Sequence, residues 1–123
     1  MRKPTSHMDL LVWKKAMELV LGIYRYTSGF PDVERYGLVA QLRRAAVSIP
    51  ANVAEGSGRF TSREFAQFVS IARGSAVEIE TLLLLTERLE YSTPEETRPL
   101  LLLSREISRM LLGLRRSLLR LST

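Results

Sequence analysis

The residue types that can do chemistry crowd into one stretch, RRAAVSIPANVAEGSGR, from Arg43 to Arg59. Its Gly56-Ser57-Gly58 could cradle a phosphate. A phosphate loop, however, needs a strand before it and a Lys-Ser/Thr pair at the start of the helix behind it, and neither is present. The same triplet also reads as a helix stop followed by a helix start. Arg43, Arg44, Asn52 and Glu55 in this stretch, with Glu78 further on, form a second constellation. Glu78 lies between Ile71 and Leu85 on a helical wheel, in an apolar stripe where a carboxylate is costly to bury unless it is paired. Arg43 and Arg44 are its natural partners, with Asn52 and Glu55 joining a structural polar network. The competing reading makes Glu78 an ordinary surface acid.

Other chemistries lack their residues. The chain has no cysteine and a single histidine, His7. Metal centres in helical bundles draw on carboxylates and Glu-x-x-His pairs from facing helices, and a Ser-His-Asp constellation needs a histidine within the fold. No metal, cofactor or catalytic residue is therefore expected, and the chain is read as a non-enzyme.

The strongest functional signal is electrostatic. The net charge is +5, and from Thr97 to Thr123 six arginines face one acid, Glu106, so the rest of the chain is neutral. At 100° per residue, Arg98, Arg105, Arg109, Arg116 and Arg120 share one helix face, opposite Leu103, Ile107, Met110, Leu114 and Leu121. Guanidinium groups bind phosphate in a bidentate way, so such a stripe suits the backbone of RNA or DNA. Its plain alternative is a solvated outer face. Beside the stripe, Leu101, Leu112 and Leu119 form a row that this arc leaves outside, as a subunit interface would.

These side chains need elements to position them. With 123 residues, 46% of them hydrophobic and 25% charged, one domain with a sizeable core is expected. No apolar run approaches the ~20 residues that span a bilayer, no secretory leader is visible, and the absence of cysteine fits a reducing interior. No membrane association and a cytoplasmic location are the expectations. Residues 1–8 are set aside as a flexible N-terminal segment, since Ser6-His7-Met8 resembles a cloning-site remnant.

Apolar residues recur every three to four positions in four segments, and nothing alternates as a strand would. The first helix is expected from Asp9 to Tyr26, with Leu10, Trp13, Met17, Val20 and Tyr24 inward. The second starts between Asp32 and Tyr36, carries Leu38, Leu42, Ala45, Ile49 and Val53, kinks at Pro50 and stops at Gly56 in a left-handed conformation. Thr61 and Glu64 make a capping box for the third helix, with Phe60 and Phe65 as a hydrophobic staple. This helix reaches Leu89, and its small Ala72, Gly74, Ser75 and Ala76 permit close approach to Ala45, Ala46 and Ala51. Thr93-Pro94-Glu95-Glu96 opens the fourth, which runs to Leu121. Short loops between long helices predict an all-α, antiparallel, up-down-up-down four-helix bundle over residues 9–121.

Several motifs resemble one family. Asp9-Leu10-x-Val12-Trp13-x-Lys15-Ala16-Met17, Tyr36-Gly37-Leu38, Gln41-Leu42-Arg43-Arg44-Ala45, Ser48-Ile49-Pro50-Ala51-Asn52-Val53-Ala54-Glu55-Gly56 and Ala72-Arg73-Gly74-Ser75 with Glu78 are similar to the four-helix bundle proteins encoded by intervening sequences of bacterial 23S ribosomal RNA genes. The resemblance spans roughly residues 9–121. It implies a ring-shaped homopentamer and distant kinship with the accessory protein of diversity-generating retroelements, a basic pentameric barrel that binds nucleic acid and a reverse transcriptase. The fourth helix carries the least of the motif, so its arginine surface rests on the wheel alone. The expected function is an oligomer binding RNA or another structured nucleic acid through that surface, with a protein-interaction scaffold as the alternative.

Overall fold

The computed structural model describes residues 7–122. Helix α1 spans Leu11–Thr27, α2 Leu38–Ser57, α3 Ser62–Arg88 and α4 Pro94–Leu121, with 3-10 turns at His7–Asp9 and Asp32–Glu34. No strand occurs among the described residues, and the fold is an all-helical four-helix bundle. The proposed flexible segment lies mostly outside the described residues. Of the part that is described, His7 packs edge-on against Trp13, with ring centroids 5.2 Å apart.

The cross-helix bonds give the order of packing. Arg43 Nε donates to Thr27 Oγ1 at 3.0 Å, joining the start of α2 to the end of α1. Gln41 reaches Glu78 at 3.2 Å while Ser75 donates to Ser48 at 2.9 Å, so residue numbers rise along α2 as they fall along α3. Arg105 meets Glu80 and Arg115 meets Ser70, each at 2.8 Å, in the same opposed sense between α3 and α4. Lys15 pairs with Glu106 at 2.8 Å and Gly22 backs onto Leu100, which closes α4 against α1. Each helix is therefore antiparallel to its neighbours.

Local chemistry explains the helix starts. Thr93 and Glu96 form a complete reciprocal capping box at α4, with Pro94 in the first turn, where its missing N–H costs nothing. At α3 the Thr61 hydroxyl accepts from Glu64 N at 3.1 Å, but the Glu64 carboxylate takes its bond from the Thr61 hydroxyl instead of the backbone. The staple does not form, because Phe60 is 98% exposed while Phe65 is buried in the core. α2 passes through the buried Pro50 as one continuous helix. Around the proline, Asn52 Nδ2 donates to Ser48 O at 2.8 Å and to Ser48 Oγ at 2.9 Å.

The core is a single cluster in which Leu19, Ile23, Leu42, Ile49, Ile79, Leu83, Ile107 and Leu111 are fully buried. Burying a side chain of this size contributes about 1.5–3 kcal/mol. The inward face of α2 agrees with its apolar spacing, since Leu42, Ala45, Ile49 and Val53 are buried. α1 is turned by about a quarter of a revolution: Val12, Ala16, Leu19, Ile23 and Thr27 are buried, whereas Met17 and Tyr24 stand at the surface. The bulkiest side chains misplaced that face, since the true stripe includes an alanine and a threonine.

α4 is turned for the same reason. Its buried residues are Thr97, Ser104, Ile107, Leu111 and Leu118, and Leu121 is exposed. Ser104 is tolerated because its hydroxyl donates to Ala76 O at 2.9 Å. This rotation brings Leu101 and Leu119 onto the core as partly buried residues, and they line the seam with α3 instead of forming an outer row with the half-buried Leu112. The α4 leucines that do stand out are Leu102, half exposed, and Leu121.

Gly56 also has a different task from the one its position implied. No described glycine has a positive φ, and Gly56 is buried inside α2. A Cβ there would sit 2.8 Å from Phe65 Cδ1 and from Phe68 Cβ, so the glycine serves the tight approach of α3. Further along, Ala72 and Ala76 on α3 and Ala45 and Ala46 on α2 are buried, whereas Ala51 and Gly74 are exposed.

Candidate nucleic-acid interface

Arg98, Arg105, Arg109, Arg116 and Arg120 are all exposed along α4, on the side opposite its buried stripe. Arg98 lines an open recess of about 410 Å³ with Leu84, Glu87, Glu95 and Leu101. Arg105 is paired with Glu80, its Nε 2.8 Å from Oε1. The side chains of Arg98, Arg109 and Arg116 make no hydrogen bond or ion pair with any described residue. At 1.5 Å per residue, Arg109 and Arg116 are separated by about 10 Å along the helix, close to three base-pair rises of a nucleic-acid strand.

The α3 surface beside this stripe adds charge that sequence reading missed. The pairings of Glu80 with Arg105 and Ser70 with Arg115 place exposed Arg73 alongside the segment between Arg109 and Arg116. Arg115 itself is half-buried, its Nε donating to Ser70 Oγ. Only the interhelical register reveals this addition, because Arg73 is far from α4 in sequence.

The five residues of the expected polar network do not meet. Arg43 turns to α1, bonding Thr27 Oγ1 at 3.0 Å and Tyr24 O at 3.4 Å, with its guanidinium 4.4 Å over the Tyr24 ring. Arg44 is exposed and Asn52 is held within its own helix by Ser48. Glu55 pairs with Arg59 one turn away. Glu78 is exposed and accepts from Gln41. On α2, Arg43 faces α1 while Asn52 and Gln41 face α3, so the wheel separates what the linear sequence gathers.

A second basic concentration emerges from this rearrangement. Arg35, Arg43 and Arg44 line an open groove of about 680 Å³ together with Tyr24 and Tyr36. Neither the Arg35 nor the Arg44 side chain has a hydrogen-bond or ion-pair partner among the described residues.

Among the described residues no cluster of three or more His, Asp or Glu side chains could hold a metal ion. No described helix is long and apolar enough to cross a membrane.

With this geometry in place, the comparison with protein families is decisive. The profile of the 23S rRNA-intervening sequence protein family matches residues 8–113. The chain belongs to that family. A crystal structure of a protein of unknown function from the S23 ribosomal protein family of Bacteroides thetaiotaomicron is similar, with a TM-score of 0.77 and 27% identity over 85% of this chain and 98% of that one. Comparison with curated proteins gave no match. The matched region contains the whole of α1, α2 and α3 and stops within α4, before Arg115, Arg116 and Arg120. The basic end of α4 thus lies beyond the part the family profile recognises.

Proposed function

We propose that this member of the 23S rRNA-intervening sequence protein family is a non-enzymatic homo-oligomer, a pentamer by family resemblance, that binds RNA or other structured nucleic acid through the α4 arginines. The observation that carries the reading is the exposure of Arg98, Arg109 and Arg116 without any intramolecular partner. Ordinary surface arginines on long helices gain from acids one turn away. For Arg109 the only acid one turn away is Glu106, which is committed to Lys15 on α1, and Arg116 has no acid at that spacing, whereas Arg98 shares its recess with Glu87 and Glu95 without bonding either. Exposed apolar side chains on α3, including Ile71 and Leu85, support self-association, which would repeat the basic face around the assembly.

Replacing Arg98, Arg109 and Arg116 together with serine tests the assignment. Affinity for a hairpin RNA should fall while the thermal midpoint stays close to that of the native chain, because none of the three side chains holds the fold. Unchanged affinity would remove the phosphate contacts from α4. Co-purification with and without nuclease separates this function from a protein-interaction scaffold, whose partners would survive the nuclease.

A further inference from the structure

The groove between α1 and α2 has the ingredients of a site for an unpaired nucleotide. Its chemistry differs from that of the α4 stripe, because it combines cations with exposed aromatic rings. Tyr36 is 87% exposed and Tyr24 is 43% exposed, so aromatic surface stands open to solvent beside the cations. Three guanidinium groups, from Arg35, Arg43 and Arg44, line the same groove, and no acid lines it. Asp32 is confined to the adjoining recess of about 160 Å³, which shares Arg35 and Arg43.

The groove is also held in shape. Arg43 is fixed by Thr27, by the Tyr24 carbonyl and by stacking on the Tyr24 ring, and these contacts leave N–H groups of its guanidinium available. The segment that carries Arg35 and Tyr36 is anchored through Glu34, which accepts from Tyr91 Oη at 2.9 Å and from Leu38 N at 3.2 Å. The Arg35 and Arg44 side chains line the same groove without hydrogen-bond or ion-pair partners among the described residues. Proteins that take single-stranded nucleic acid combine these two elements, a cationic track for phosphates and aromatic faces for bases.

We infer that this groove binds one unpaired nucleotide of a single-stranded or looped nucleic acid, with its base on the open Tyr36 ring and its phosphate at the guanidinium groups. The inference rests on the nucleic-acid reading of α4 and divides the labour: α4 tracks the backbone, and the α1–α2 groove selects strands with unstacked bases.

Fluorescence anisotropy with two labelled probes separates the two readings: a twelve-nucleotide oligouridylate and a blunt sixteen-base-pair RNA duplex. Tyr36→Ala and Arg44→Ser should each weaken oligouridylate binding about tenfold or more while leaving duplex binding within about twofold. Tyr36→Phe keeps the ring and should bind as the native chain does. The triple α4 variant should lose affinity for both probes. Oligouridylate affinity unchanged in Tyr36→Ala would overturn the groove assignment, as would native protein that binds duplex but not oligouridylate; the α4 function would survive both results. Binding of neither probe at low salt would sink both readings together. If Tyr36→Ala or Arg44→Ser changes the mass in solution instead of the oligouridylate affinity, the groove is a contact between copies and the inference is wrong.

Discussion

The phenolic oxygen of Tyr26 lies 2.7 Å from the hydroxyl of Thr86, joining the last turns of α1 and α3. The same oxygen is bonded to Ser92 and lies 3.4 Å from Thr97, so one tyrosine ties α1 to α3, to the turn after it and to the start of α4. Thr86 and Thr97 are buried, and their hydroxyls also donate to carbonyls one turn back, Leu83 O and Thr93 O. Removing the Tyr26 hydroxyl would take one partner each from Thr86 and Ser92, although Ser92 keeps its 3.1 Å contact with Thr97. Tyr26→Phe is expected to lower stability by about 1–2 kcal/mol in urea unfolding. No measurable change would mean that the hydroxyls satisfy one another without it.

Two helical glycines, Gly56 in the last turn of α2 and Gly74 in the middle of α3, should respond in opposite directions. Gly56→Ala drives a methyl into Phe68 Cβ and the Phe65 ring, with Phe65 O 3.3 Å away, and should cost about 1–3 kcal/mol. Gly74 faces open space in the middle of α3, so Gly74→Ala should add about 0.8–1 kcal/mol through helix propensity. Thermal melts of the two variants in parallel check both signs.

Glu90 is the one described non-glycine residue with a positive φ, 63°, just past the end of α3. Leu89 N bonds Leu85 O, Glu90 N bonds Glu87 O and Tyr91 N closes back on Thr86 O at 3.0 Å, a helix stop that calls for a left-handed residue. An L-side chain there costs roughly 1–2 kcal/mol that glycine does not. Glu90→Gly should therefore raise the melting temperature by about 4 °C. A lower temperature would show that the Glu90 side chain contributes more than its backbone strain costs.

Alkaline pH should weaken the fold at two identifiable places. The hydrogen bond and charge of Glu106 hold the Lys15 pKa above the usual lysine value. The bond to Glu34 likewise raises the Tyr91 phenol, assisted by desolvation and by the carboxylate's charge. A pKa raised in the folded state means stability that is fully present below the unfolded value and lost as pH rises through the folded one. Urea midpoints should fall from about pH 9 to 11, and fall less in the Glu106→Gln, Tyr91→Phe double variant. An equal fall in both proteins would assign the loss to other groups.

What the sequence disclosed follows from how local each signal is. The capping box at Thr93 and the apolar rhythm of α2 are set within a few residues, and both are seen in the fold. The orientation of α4 was not legible, because Thr97 and Ser104 are polar by type and buried only through bonds made elsewhere in the bundle. The polar network expected around Glu78 failed because Arg43 found Tyr24 and Thr27 on the opposite side of α2. The groove of Tyr24, Arg35, Tyr36 and Arg44 could not be read at all from spacing, since three separate segments of the chain build it. The arginines of α4 were legible as a set, but the partners of Arg105 and Arg115 needed the interhelical register.

The salt dependence of binding to a hairpin RNA tests the central claim most directly. If each protomer neutralises three phosphates through Arg98, Arg109 and Arg116, affinity should drop by roughly 40-fold between 50 and 200 mM monovalent salt. The triple serine variant should flatten the slope by about one logarithmic unit per contact removed. Affinity that is undetectable at low salt, or that stays constant as salt rises, would contradict a phosphate-binding role for the bundle.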